Sequence, residues 1–219
     1  MRFAAIAFDF DGVVADTESL ANQTLADALT RAGMPTTREE SFALYMGHSW
    51  ADNATLIEQR WGRLLPPGFV EGRRADIRAR LHEVTAIPGI AAFLDRIAGV
   101  PRAIASSSSR EWIDAVLNHI GLASHFPHIF SVAAGDAPRG KPAPDIYRAA
   151  FAALNVAPDR ALVIEDTPVG VSAGAASDAF TVGLCAGSHV RPGHADLLTA
   201  AGANAIAESY EEVAALLGA

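Results

Sequence analysis

Apolar residues in this chain concentrate in short runs at residues 2–10, 102–105, 129–133, 161–164 and 180–184, and the stretches between them carry helical spacing. Continuous apolar runs of this length read as buried strands, and apolar residues three and four apart read as one face of a helix. Residues 111–120 have that spacing and stop at Gly121, while residues 146–154 follow Pro144 and Asp145, a stop and a start signal respectively. Strand alternating with helix predicts an α/β fold, a doubly wound parallel sheet with helices on both faces and a ligand cleft beyond the carboxyl ends of the strands.

Residues 20–81 break the rhythm, with amphipathic helical patterns and no convincing strand. They predict an inserted helical domain at 18–83, within a core made of 1–17 and 84–219. Thr36 with Glu39 and Thr37 with Glu40 have capping-box spacing, Ser49 can cap a helix containing Leu56 and Ile57, and Gly33, Gly47 and Gly62 punctuate the ends. The arginine-rich segment 67–82 reads as a solvated helix face. Ile87-Pro88-Gly89 returns the chain to the alternating pattern, and there are no repeats or low-complexity tracts.

With 219 residues, 50% of them apolar, the chain can bury a substantial core as one domain with an insertion or two modest domains. A formal charge of -8 argues against nucleic acid and against anionic membranes, which need basic faces, and favours a small-molecule partner. No apolar run approaches the roughly 20 residues of a membrane helix. Cys185 has no second cysteine to pair with and reads as packing on a strand. No leader-like segment opens the sequence, so the expectation is a soluble, cytoplasmic protein.

Chemistry gathers where the predicted strands end. The first run closes in Asp9-Phe10-Asp11-Gly12, the second leads into Ser106 to Ser109, the fourth into Glu165-Asp166-Thr167, and Gly140-Lys141-Pro142 follows the third. On an extended chain Asp9 and Asp11 point the same way. Two like charges about 4 Å apart repel by roughly 4 kcal/mol near a surface, so a cation, a shared proton or water must offset them. These residue types suit phosphoryl transfer. An Asp can attack as a nucleophile, a second acid can move protons, oxygen ligands can hold Mg²⁺, and Lys141 and Ser106 can bind phosphate oxygens. A plainer reading makes Asp9 to Gly12 a strand-ending turn and Ser107 to Ser109 a polar turn with a helix cap.

DFDGVVADTE, the serine after RAIA, GKPAPDIY and VIEDTPVG, in this order and spacing, resemble the haloacid dehalogenase-like (HAD) hydrolases over nearly the whole chain. The helical insertion resembles the cap of the subfamily that includes phosphoglycolate phosphatases and β-phosphoglucomutase. The resemblance implies a Rossmann-like (HAD-like) α/β core of the flavodoxin-like class of topology, with a mobile helical cap. It implies Asp9 as nucleophile and Asp11 as general acid and base. Asp9 and Asp166 would ligate Mg²⁺ by side chain and Asp11 by its backbone carbonyl, with Glu165 holding the metal's water shell. Ser106 matches the phosphate-binding serine, with Ser107 a further candidate contact. Lys141 matches the lysine that balances the nucleophile's charge, and Asp145 is placed to orient it.

The function so implied is a Mg²⁺-dependent phosphatase acting on a small phosphorylated metabolite through an aspartyl-phosphate. A sugar phosphomutase is the alternative, but the resembling mutases carry a histidine twelve residues after the nucleophile, where this chain has Ala21. A 2-haloacid dehalogenase would not need Asp11, Glu165 and Asp166. A phosphoacceptor signalling module would place its phosphorylated Asp on a middle strand, and a catalytically dead binding protein would lack a motif residue. His48, between two helices of the insertion, is a candidate for specificity. Trp50 and Trp61 read as packing, and Asp16 and Glu18 as acids capping a helix that begins near Ser19. His189 and His194 lack a third ligand nearby in sequence, so a substrate or structural role at the cleft rim is expected of them.

Overall fold

Four apolar residues, Ala5–Phe8, form β1, and their alternation sets up both faces of the sheet. Ile6 and Phe8 enter one apolar cluster while Ala7 enters another on the opposite face. The computed structural model describes residues 3–46, 48 and 50–218. From β1 the chain runs through α1 (Glu18–Arg31), α2 (Arg38–Tyr45), α3 (Trp50–Trp61), α4 (Phe69–Ala79) and α5 (Ile90–Arg96) before returning to the sheet. It continues as β2 (Arg102–Ser106), α6 (Arg110–His119), β3 (Ile129–Ser131), α7 (Asp145–Ala153) and β4 (Ala161–Glu165). It closes with α8 (Pro168–Ala176), β5 (Phe180–Leu184), α9 (His194–Ala200), β6 (Ala205–Ala207) and α10 (Tyr210–Leu217).

The strands form a six-stranded parallel sheet in the order β3-β2-β1-β4-β5-β6. This is the Rossmann order, which corrects the expected flavodoxin-like order: β1 lies between β2 and β4, and β3 lies outside β2. The edge suits β3, which is only three residues long and half-buried at two of them. Strands are added on one side of β1 up to β3 and on the other side from β4 onward, so the crevice at the carboxyl ends of β1 and β4 is the switch point of the fold.

Small residues shape the second face. Ala7, Ala103, Ala105 and Ala161 are fully buried there, and their short side chains let Ile146, Tyr147, Ala150 and Phe151 of α7 lie directly on the sheet. The first face carries bulk instead, with Phe8 meeting Phe93 and Phe126 edge-on at ring separations of 6.2 and 5.4 Å.

The insertion is helical, with no strand among its described residues. Leu25, Leu29, Met34, Tyr45, Ile57 and Phe69 form an apolar cluster of its own, joined by the partly buried Trp50 and Trp61. Thr37 and Glu40 form the expected capping box, whereas Thr36 turns its hydroxyl to the Met34 carbonyl. The expected cap at Ser49 and the break at Gly47 lie outside the described residues. Among the described residues no helix is long and apolar enough to cross a membrane.

The turn after β1 is pinned from the far end of the chain, where the buried Tyr210 hydroxyl of α10 donates to the Val13 carbonyl at 2.8 Å. Tyr210→Phe leaves that carbonyl buried without its partner and is expected to lower stability by about 1–3 kcal/mol, read from the shift of the urea midpoint. An unchanged midpoint would show that this bond does not hold the turn.

Candidate active site

The parallel register brings the acids together. Phe8 pairs with Ile164, and the Asp9 amide donates to the Ile164 carbonyl at 2.9 Å, so Asp9 emerges from β1 beside Glu165 at the end of β4. Asp9, Glu165 and Asp166, all buried, each offer a carboxylate oxygen within 4.8 Å of the others. Lys141, the chain's only lysine, arrives from the loop after β3. Its Nζ donates to Asp9 Oδ1 at 2.5 Å and to Glu165 Oε1 at 2.7 Å, and lies 5.0 Å from the centroid of the Tyr147 ring.

Glu165 is the hub that fixes this arrangement. Its Oε1 also accepts from the Tyr147 hydroxyl at 2.9 Å, and its Oε2 accepts from the amides of Asp166 and Thr167 and from Thr167 Oγ1 at 2.9, 3.1 and 3.1 Å. Thr167 in turn caps α8 through the Gly170 amide. Two glycines make room for the acids. A Cβ on Gly170 would lie 1.6 Å from Glu165 Oε1, and one on Gly12 would lie 1.8 Å from Asp166 Oδ2, where φ of +79° also disfavours any side chain.

Three buried carboxylates thus gather beside one ammonium, which bonds two of them. Burial pushes Asp9 well above the usual carboxylate range, with Lys141 opposing and Glu165 and Asp166 reinforcing the shift. Asp166 is raised by burial and then by Glu165. Burial presses Lys141 down, but Asp9 and Glu165 outweigh it and hold the ammonium above its ordinary value. Both carboxylate oxygens of Asp166 lack a hydrogen-bond partner. Buried oxygens of this kind are costly unless paired, and an all-oxygen donor set with excess negative charge fits a hard divalent cation.

Asp9, Asp11, His48, Ser106, Ser107, Lys141 and Glu165 all line one cavity of about 270 Å³, and Asp166 lies behind that lining, fully buried, with a carboxylate oxygen within 4.8 Å of those of Asp9 and Glu165. Asp11 stands apart from that group. Its Oδ1 accepts from Thr17 Oγ1 at 2.5 Å and, more distantly, from Trp112 Nε1 at 3.4 Å, while Oδ2 accepts from Ser108 Oγ at 2.5 Å. Ser106 Oγ accepts from the Ser108 amide, and Ser109 caps α6, so each of these hydroxyls has a separate task.

Several expectations are corrected. Asp145 does not orient Lys141. It pairs with Arg139 at 2.8 Å, because that guanidinium reaches the start of α7 while Lys141 turns inward to Asp9 and Glu165. Glu18 lies in the first turn of α1, where an acid is expected, but neither it nor Asp16 caps the helix by a hydrogen bond: Asp16 accepts from the Ser188 amide and hydroxyl, and Thr17, the residue before the helix, gives its hydroxyl to Asp11. Glu18 turns into the cavity, where burial, then the charges of Asp166 and Asp11, push its pKa to about 8. His189 and His194 are buried against Asp166 rather than at a rim, and burial lowers both below the usual histidine range.

The arginine-rich helix is not wholly a solvated face. Arg73 of α4 lines the cavity, its guanidinium lies 5.3 Å from the Trp50 ring centroid, and its buried Nε–H has no partner. The sequence held a signal for this, because Phe69, Arg73 and Ile77 share one helical stripe, and both flanking residues pack inward. Nothing comparable marked Thr17, Ser108, Trp112 or Tyr147.

The family model for haloacid dehalogenase-like hydrolases matches residues 3–178. Hexitol phosphatase A of Escherichia coli is 31% identical over 204 residues, covering 87% of this chain and 82% of that protein. Fructose-1-phosphate phosphatase YqaB of the same organism is 27% identical over 186 residues, covering 84% and 98%. A HAD family hydrolase from Deinococcus radiodurans, solved with bound phosphate and sodium, is 33% identical with a TM-score of 0.79, covering 99% of this chain and 96% of that one.

The position of Glu18 has a pH signature in metal-free protein. An acid whose folded pKa stands near 8 against an ordinary 4.5 favours the fold below about 4.5, and that stability is lost as pH rises through about 8. Glu18→Gln removes the loss, so its gain in melting temperature over wild type should be larger at pH 9 than at pH 5. Equal gains at both values would contradict the placement of Glu18 on the cavity wall near Asp166 and Asp11.

Proposed function

Because this chain belongs to the haloacid dehalogenase-like hydrolase family, we propose that it is a Mg²⁺-dependent phosphatase of the cytoplasm acting on a small phosphorylated metabolite, a sugar or sugar-alcohol phosphate. The observation that carries this reading is that Asp9 and Lys141 line a cavity shared with Ser106 while the Asp166 carboxylate, without a hydrogen-bond partner, lies within 4.8 Å of Asp9 behind them. Names of relatives support the substrate class, with a hexitol phosphatase and a fructose-1-phosphate phosphatase among them.

In this reading residues 18–83 form a cap over a core of 1–17 and 84–219, consistent with the separate apolar cluster of the insertion. Mg²⁺ would be held by the carboxylates of Asp9 and Asp166 and the backbone carbonyl of Asp11, with Glu165 beside it, and would offset the charge of nucleophile and phosphate. Lys141, Ser106 and Ser107 bind phosphate oxygens. An Asp9 oxygen attacks phosphorus as the bond to the ester oxygen breaks, and Asp11 gives that oxygen its proton, leaving an alcohol and an aspartyl-phosphate on Asp9. Asp11 then takes a proton from water, whose oxygen attacks the same phosphorus and releases inorganic phosphate, restoring Asp9.

Specificity would come from the cavity wall. Arg73 presents a donor without a protein partner, Glu18 and Asn22 stand near it, and His48 is exposed at the cavity, a group of polar side chains suited to hydroxyls. A mutase reading is disfavoured by Ala21, which lines the cavity where the resembling mutases carry their histidine.

A screen of phosphorylated metabolites scored by phosphate release should find a sugar or sugar-alcohol phosphate whose turnover needs Mg²⁺, and full turnover in excess chelator would remove the metal from the mechanism. Asp9→Asn should lower turnover by roughly 10³-fold or more and leave no phosphoenzyme, and Asp11→Asn by about 10²–10⁴-fold; undiminished rates in both would refute the assigned roles. Arg73→Leu and His48→Ala should weaken the sugar phosphate more than a small aryl phosphate, and equal losses on both would place these residues outside specificity.

A further inference from the structure

Asp166 is approached by two histidines that the mechanism above does not use. His194 Nε2 lies 2.6 Å from the Asp166 backbone carbonyl, and since a carbonyl only accepts, that nitrogen carries the hydrogen. His189 Nε2 lies 3.0 Å from Asp166 Oδ2. The two are close but out of line, so both ring nitrogens of His189 and both carboxylate oxygens of Asp166 stay without a hydrogen bond while almost fully buried. The imidazole occupies a slot between two glycines: a Cβ on Gly187 would lie 2.6 Å from its Nδ1 and Cε1, and one on Gly12 would lie 2.9 Å from Cε1.

A buried ring with no bonds of its own, in a slot that a single methyl would close, is there for what it faces. We infer that His189 is a positioning residue for Asp166: its Nε2 stands 3.0 Å from Oδ2, so that a small turn of the carboxylate onto a divalent cation brings Oδ2 into line with Nε2–H and leaves the other oxygen to the ion. His194 fixes the backbone of the same residue, so Asp166 is gripped at side chain and main chain together. Partners of this kind orient ligating carboxylates and raise affinity for the ion. The inference rests on the reading of Asp166 as a metal ligand.

Mn²⁺ binding to metal-free protein, measured by calorimetry and by electron paramagnetic resonance, tests it without reference to turnover. His189→Leu should weaken Mn²⁺ by about 10–100-fold. His189→Gln, whose amide can reach the place of Nε2, should stay within about threefold of wild type, whereas His189→Asn should behave like His189→Leu. Gly187→Ala leaves every candidate ligand unchanged but pushes the ring aside, and should also weaken the ion, which covers the case of a His189 variant that fails to fold. Wild-type affinity in His189→Leu, or equal loss in the Leu and Gln variants, would overturn the inference while leaving the site reading intact. Failure of wild-type protein to bind Mn²⁺ would overturn both.

Discussion

Three buried carboxylates meet within 4.8 Å of one another with a single ammonium bonded to two of them, and this excess of acid over base constrains everything around it. Removing unpaired charge from water costs several kcal/mol per ion after relaxation, so such a cluster survives only if other parts of the fold hold it and something offsets it. The parallel register of β1 against β4 sets the acids side by side, five hydrogen bonds fasten Glu165, and glycines at 12 and 170 yield the space the carboxylates occupy. A divalent cation is the form of positive charge that such an all-oxygen donor set fits.

The same surroundings give two neighbouring aspartates different chemistry. Asp9 is buried and aimed by its bond to the ammonium, while the half-exposed Asp11 meets hydroxyls that can both give and receive hydrogen. In the proposed mechanism a nucleophile and a proton carrier two residues apart would need this separation, since one would have to be charged while the other cycles. The backbone provides it by leaving the strand at Asp9, so that Phe10 enters the core and Asp11 turns toward the start of α1.

Much of this was legible because parallel strands put chemistry at their carboxyl ends, a place that hydrophobic runs mark well. The ends at Asp9, Ser106 and Glu165 followed from runs of β-compatible residues stopping at polar ones. β3 ended two residues earlier than its apolar run, because Val132–Ala134 coil into a 3₁₀ turn whose amide is bonded by Ser131. β6 went unread, being three residues of Ala-Ile-Ala within an alanine-rich stretch that has no strand signature. Partners supplied by helix faces were harder. Tyr147 looks like any apolar position of α7, and nothing local told that Asp145 would prefer Arg139 to Lys141. His189 and His194 were visible as residues, but their shared target lies more than twenty positions away and only the fold brings it near.

The central claim is that Asp9 and Asp166 together hold a divalent cation next to an attacking carboxylate. A crystal structure grown with Mg²⁺ and beryllium fluoride tests it most directly. The account expects a fluoroberyllate on an Asp9 carboxylate oxygen, with the metal touching both Asp9 and Asp166. Fluoroberyllate on another residue, or a metal bound away from Asp166, would contradict it.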